Sequence, residues 1–166
     1  MIIMVLGLPG SGKSYFAERL AKRLDAEYLN SDRLRKELFP KRTYSDAEKS
    51  KVYAVMSQKM QEAIDQKKNL VLDATFHKKI SRELFTNNTK GKIYFIEVWA
   101  EEHTIKERLK KSRPYSEADF KVHQLILQEW EPMEEVHLRL KSTNENIDEM
   151  LQKALEYLIH DTRRYT

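Results

Sequence analysis

The chain has 166 residues, about the length of one domain, and carries 30 Lys and Arg against 26 Asp and Glu, a formal net charge of +4. It contains no cysteine, which excludes a disulfide scaffold, a zinc ribbon, an iron–sulfur site and thiol catalysis. With 34% charged and 40% apolar residues it reads as a globular protein, and the mild basic balance suggests an anionic partner without requiring nucleic acid.

The opening run, Ile2 to Leu6, is dense, apolar and stopped by Gly7, as expected of a strand buried on both faces. No basic stretch precedes it and it runs straight into glycines and a lysine, so it is not read as a signal peptide. No run approaches the roughly 20 apolar residues of a membrane span, and a cytoplasmic protein without a membrane or obligate protein partner is expected. Between Lys13 and Leu24, Phe16, Ala17, Leu20, Ala21 and Leu24 recur at helical spacing. Glu27 to Asn30 suits a short strand, and Asp32 to Leu38 a short helix capped by Ser31 or Asp32. Asp46 to Gln66 reads as a long helix, with Val52, Met56, Met60 and Ile64 on its core side. Strands are expected at Asn69 to Asp73 and at Ile93 to Trp99, with a helix from Lys79 to Asn88 between them. A helix from His103 to Lys111 breaks at Ser112-Arg113-Pro114-Tyr115, and Ser116 opens the next, with Asp119 in its capping box. A last strand at His137 to Leu140 and a helix from Asn144 to His160 close the chain. Strands alternating with helices imply one α/β domain with a parallel sheet covered on both faces.

Gly7-Leu8-Pro9-Gly10-Ser11-Gly12-Lys13-Ser14 matches the phosphate-loop pattern G-x-x-x-x-G-K-[ST] in full. A random match in this length has a chance of roughly half a per cent, and the placement after a strand and before a helix lowers it further. Glycines let the backbone wrap an anion, and the helix start adds unpaired N–H groups and the positive end of its dipole. Lys13 would reach the β- and γ-phosphates of ATP, and the Ser14 hydroxyl would bind Mg²⁺. The candidate nucleotide-binding residues are Gly7, Pro9, Gly10, Ser11, Gly12, Lys13, Ser14 and Tyr15.

A phosphate loop specifies a nucleotide but not a reaction. The acceptor belongs beyond the carboxyl ends of the neighbouring strands. There Asp32 is placed to take a proton from a hydroxyl, and Arg35, one turn on, to clamp an acceptor; helix capping plus a surface i,i+3 pair is the plainer alternative. Asp73, at the end of the third strand, suits a Mg²⁺ ligand or a turn cap. Ala74 follows it where ATP-hydrolysing machines often place a glutamate, which favours transfer over hydrolysis. No Asn-Lys-x-Asp guanine-reading motif is present. The cations Lys106, Arg108, Lys110, Lys111 and Arg113 precede the helix break; they suit a lid over ATP or a solvated helix end. His77, His103, His123, His137 and His160 lack metal-ligand spacing and suit single surface or capping roles.

These residues together resemble the small P-loop kinases of the polynucleotide-kinase-like and zeta-toxin-like group over nearly the whole chain. The likeness runs from the phosphate loop through Asn30-Ser31-Asp32-Arg33-Leu34-Arg35 and Asp73-Ala74-Thr75-Phe76 to Glu107-Arg108-Leu109 and Trp130-Glu131-Pro132. It implies a three-layer, nucleoside-monophosphate-kinase-like fold with a five-stranded parallel sheet in the order 2-3-1-4-5. It also implies a single kinase domain over 1–166 with a small lid around 108–116. In the polynucleotide 5′-hydroxyl kinases the motif aspartate is the general base and the arginine holds a substrate phosphate, roles that fall on Asp32 and Arg35. The lid arginines fall on Arg108 and Arg113; the family commonly spaces them four apart, and the gap of five leaves Lys110 or Lys111 as the other candidates. The expected activity is ATP- and Mg²⁺-dependent transfer of the γ-phosphate to an acceptor hydroxyl, first a polynucleotide 5′-hydroxyl. Kinase activity on a sugar, polyol or nucleoside-type metabolite, or a non-catalytic ATP-binding module, are the alternatives.

Overall fold

Along β1 (Ile2–Leu6), alternate side chains enter opposite halves of the core. Ile2, Met4 and Leu6 pack with one cluster. Ile3 and Val5 pack with the other. A strand apolar at every position therefore has to lie at the middle of a covered sheet, and β1 does. The computed structural model describes residues 1–111 and 118–162. Arg113, and residues 112–116 of the expected lid, lie outside the described residues.

The remaining elements follow in chain order: α1 (Lys13–Arg23), β2 (Glu27–Asn30), α2 (Ser31–Leu38), α3 (Asp46–Asp65), β3 (Leu70–Asp73) and α4 (Lys79–Thr86). After them come β4 (Ile93–Trp99), α5 (Glu102–Leu109), α6 (Phe120–Glu129), β5 (His137–Lys141) and α7 (Ile147–Thr162). The five strands are all parallel and stand in the order β2-β3-β1-β4-β5, the order the family resemblance implies. Helices α1 and α7 cover one face, burying Phe16, Leu20, Met150, Leu151 and Leu158. Helix α3 covers the other with Val52, Met56 and Met60, beside the stacked and edge-on rings of Tyr53, Phe76 and Phe85. Each fully buried aliphatic or aromatic side chain of this kind contributes about 1.5–3 kcal/mol.

The caps of two helices differ from the sequence expectation, both for a hydrogen-bonding reason, while α5 starts one residue before and α7 three residues after the expected positions. Helix α2 is capped by Asn30, whose side chain accepts from the Arg33 N–H at 2.9 Å; Ser31 and Asp32 are already helical. Helix α6 begins at Phe120, and Asp119 is its cap, accepting from the Val122 N–H at 3.0 Å, so Asp119 stands before the helix and not inside its first turn.

Candidate active site

The turn from β1 to α1 puts the phosphate loop at the carboxyl end of the central strand, between β3 and β4. Two of its glycines cannot be replaced without moving the site. A Cβ on Gly7 would lie 2.3 Å from the Val98 carbonyl oxygen of β4. Gly12 caps α1 at φ +89°, and a Cβ there would meet Ser142 Oγ at 2.6 Å and Arg108 Nη1 at 3.1 Å. Small residues thus let three segments close on one loop.

A cavity of about 620 Å³ opens over this loop. Gly10, Gly12, Lys13, Ser14 and Tyr15 line it from the loop and α1. Tyr28, Asn30, Asp32 and Arg33 line it from β2 and α2, and Ser142, Thr143 and Asn144 from the end of β5. Arg108 and Lys111 complete it from α5 and the residues after it. Of the sequence-expected nucleotide residues, Gly7, Pro9 and Ser11 stand behind this surface: Ser11 is buried, and the Pro9 carbonyl accepts from His123 Nδ1 at 3.1 Å. Tyr15 is 55% exposed, and the Arg19 guanidinium covers one face of its ring at 3.3 Å.

Register explains the polar cluster below the cavity. Asn30 and Asp73 are paired neighbours at the ends of β2 and β3, and Tyr28, two residues back, shares their face. Tyr28 Oη donates to Asp73 Oδ2 at 2.6 Å, and Asn30 Nδ2 donates to the same oxygen at 2.6 Å. Asn30 Nδ2 also lies 3.4 Å from Ser14 Oγ. Burial first, and then the Asp73 charge, push the Tyr28 hydroxyl far above its usual value, so it remains a proton donor. Asp73 is fully buried, and among the described residues its Oδ1 has no hydrogen-bond partner. A buried carboxylate oxygen without a donor is costly unless something positive completes it. One hydroxyl, one carboxylate and room for phosphate oxygens form the hard-oxygen donor set that suits Mg²⁺ with its retained waters, so Ser14 and Asp73 fit the expected ion.

Arg108 is tied down by its whole guanidinium. Nη1 donates to the Gly10 carbonyl at 3.2 Å, Nη2 to Ser142 Oγ at 3.1 Å and Nε to Asn144 Oδ1 at 3.1 Å. It joins the phosphate loop to the end of β5, while burial lowers its pKa from the usual range. Of the lysines weighed for the lid, Lys111 lines the cavity and Lys110 is paired with Glu107 at 2.7 Å.

Asp32 and Arg35 are neighbours, 3.9 Å apart, but only Asp32 lines the cavity. Arg35 is drawn toward α3, with Nε 3.4 Å from Glu48 Oε1 and its guanidinium 5.0 Å over the Tyr44 ring. Glu48 is itself buried and accepts from Thr43 N at 2.8 Å, Thr43 Oγ1 at 3.1 Å and Tyr44 N at 3.3 Å. The Thr43 N–H is the main cause that holds the Glu48 carboxyl below the usual range, with Arg35 adding to it. Nothing in the spacing of Glu48 announced this role, since an acid in the first turn of a helix is ordinarily a dipole partner.

Two histidines assigned to surface or capping roles are buried, His77 and His123, each 2% exposed. His123 stacks on Phe120 and fastens α6 to the phosphate loop through the Pro9 carbonyl. His77 Nε2 donates to Glu129 Oε2 at 3.2 Å, which joins the β3–α4 turn to the end of α6. Both bonds span long stretches of chain, so short-range spacing could not reveal them.

A nucleotide-sized cavity on a phosphate loop at the centre of a 2-3-1-4-5 parallel sheet defines a P-loop protein of the kinase fold. The chain belongs to the AAA domain family, whose model matches residues 2–133. No curated protein matches it. Among solved structures it is similar to a gluconokinase from Sinorhizobium meliloti 1021, at 19% identity and a TM-score of 0.75 over 99% of this chain and 94% of that one. It is also similar to the adenosine phosphosulfate (APS) kinase CysC of Mycobacterium tuberculosis in complex with AMPPNP and APS. That match has 19% identity and a TM-score of 0.74 over 95% of this chain and 96% of that one. Kti12 from Chaetomium thermophilum, in complex with ADP-AlF3, matches at 16% identity and a TM-score of 0.65 over 94% and 98% of the two chains. Among the described residues no helix is long and apolar enough to cross a membrane.

Proposed function

We propose that this protein is an ATP- and Mg²⁺-dependent phosphotransferase that moves the γ-phosphate of ATP to a hydroxyl of a small metabolite. The observation that carries the reading is that Asp32 lines the same cavity as Lys13, Ser14 and Arg108. In this reading the phosphates of ATP lie on the 7–14 backbone, and Tyr15 borders the nucleotide. Ser14 and Asp73 hold Mg²⁺, which, when bound, neutralises charge on the phosphates. Asp32 orients the acceptor hydroxyl and takes its proton, while Lys13 and Arg108 stabilise the charge on the transferring group. Lys111 is the second lid cation this geometry favours, ahead of Lys110.

Small acceptors agree with the structural relatives, a gluconokinase and an APS kinase among them. The second reading, a polynucleotide 5′-hydroxyl as acceptor, is favoured by the Asp32–Arg35 pair and the resemblance it supports. There Arg35 would hold a substrate phosphate, yet Glu48 draws it away from the main cavity. The test is transfer from γ-labelled ATP to a panel of sugars, sugar acids, polyols, nucleosides and 5′-hydroxyl oligonucleotides, with mass measurement of the product. Transfer to oligonucleotides alone would replace the first reading by the second. Asp32→Asn should slow transfer by about 10²–10⁴-fold and leave ATP binding unchanged; full activity in that variant would remove Asp32 from the role of base.

A further inference from the structure

Asp73 is held through one of its two oxygens, Oδ2. Among the described residues both donors that reach it, Tyr28 Oη and Asn30 Nδ2, bond to Oδ2 at 2.6 Å, and Oδ1 is left without a hydrogen-bond partner in a fully buried side chain. A carboxylate with a single donor can turn about its Cβ–Cγ bond. Two short bonds converging on one oxygen remove that freedom and leave one lone-pair edge for another electrophile. Asn30 goes further, because its Nδ2 also approaches Ser14 Oγ at 3.4 Å, so one amide nitrogen spans both residues expected to meet the ion. A hydroxyl accepting from Asn30 still has a second lone pair for a cation. Asn30 has no freedom to drift, since its Oδ1 caps α2 through the Arg33 N–H at 2.9 Å. Tyr28 is set by the strand register that places it on the face of Asn30 and Asp73, and the Arg33 guanidinium lies 5.1 Å over its ring.

We propose that Tyr28 is a positioning residue: together with Asn30 it locks the Asp73 carboxylate through Oδ2, so that Oδ1 is pre-set as the oxygen that receives the metal ion or one of its waters. This rests on the Mg²⁺ reading of Ser14 and Asp73. No step of the transfer passes through Tyr28, which keeps its proton throughout. Its effect is on how tightly, and in what orientation, the divalent ion sits against the nucleotide, the role that outer-shell partners of ligating carboxylates commonly have.

The test is Tyr28→Phe, which removes the O–H and keeps the ring under Arg33. Binding of Mn²⁺ is followed by electron paramagnetic resonance in the presence of a non-hydrolysable ATP analogue. The same analogue is titrated calorimetrically in EDTA. The expected result is about tenfold weaker Mn²⁺ binding in Tyr28→Phe, unchanged metal-free nucleotide binding, and a matching rise in the Mg²⁺ concentration that half-saturates transfer. Unchanged Mn²⁺ affinity overturns the proposal. An equal loss of metal-free nucleotide binding also overturns it, because a merely structural role for Tyr28 would act on the loop and not on the ion. Asp73→Asn separates this from the underlying reading. If Asp73→Asn weakens Mn²⁺ binding and Tyr28→Phe does not, only the role of Tyr28 falls. If Asp73→Asn binds Mn²⁺ normally, the magnesium site and this inference fall together.

Discussion

The cavity wall on the α1 side and a second wall on the α3 side, whose Arg35, Glu48 and His77 do not line the cavity, are built by different kinds of interaction. On the α1 side, backbone geometry does the positioning: a glycine loop, a helix start, and three residues brought into line by parallel strand register. On the α3 side, side chains from distant segments do it: Arg35 on Glu48, His77 on Glu129, and Lys78 on Glu129 at 3.8 Å. The first arrangement is as rigid as the sheet. The second is a set of charge pairs between helices that differ in exposure, from Glu48 at 3% to Glu129 at 55%, and such pairs respond to substitution, salt and pH. The division matches the chemistry proposed. Under the proposed function the nucleotide half would meet a constant ligand, and Asp32, where the second wall reaches the cavity, would face the acceptor.

The largest effect should come from breaking the rigid wall. Lys13→Ala removes the one cation of the loop motif, and transfer should fall by roughly 10³-fold or more, with calorimetry showing much weaker Mg²⁺–ATP binding. The fold should persist, since Lys13 lies on the cavity surface and the core clusters do not include it. Equal Mg²⁺–ATP affinity in this variant would refute the phosphate-binding role of the loop.

Breaking the second wall should separate acceptor from nucleotide. Glu48→Gln keeps the shape of the side chain but removes the charge that holds Arg35, Thr43 and Tyr44. Arg35, once released, no longer steadies the Asp32 carboxylate 3.9 Å away, so the expected outcome is a rise of about tenfold in the acceptor KM with the ATP KM unchanged. Steady-state kinetics with each substrate varied in turn checks it. A parallel rise in the ATP KM would mean that the two walls are not independent.

The sequence made the first wall legible and left the second dark, for a reason the geometry supplies. The phosphate loop is contiguous, and its glycines, lysine and serine are required at fixed spacing, so one stretch from Gly7 to Ser14 announces both nucleotide and fold. Strand positions were legible because β1 and β4 have no polar face to confuse with a helix. Asp73 was legible as the polar end of an apolar strand, but its fixing by Tyr28 was not, because cross-strand contact depends on a register that only the folded sheet defines. Arg108 was expected to serve a lid, and its anchoring to Gly10 and Ser142 needed three segments to be seen together. The burial of His77 and His123 was missed because their partners lie 52 and 114 residues away.

The smallest effect should be a pH dependence that belongs to the charge-paired wall. Burial, and next the nearby Lys49, lower the pKa of His77 below its ordinary 6.5, although Glu129 pulls it the other way. The side chain is 2% exposed, so burial governs and the folded state holds the neutral ring. An unfolded chain protonates this histidine near its ordinary pKa, while the folded chain resists until lower pH. Between the two values the unfolded state binds more protons, so stability falls as pH is lowered through 6.5 and below. His77→Gln removes the titration while retaining a side chain able to donate to Glu129. Thermal unfolding from pH 7.5 to 5.5 should therefore show a shallower decline of Tm in the variant than in the unmodified protein. The two proteins differ at this one side chain, so the difference between the two curves isolates His77. Parallel curves would mean that His77 titrates alike in the folded and unfolded chain, and a steeper decline in the variant would mean that Glu129 holds the ring charged.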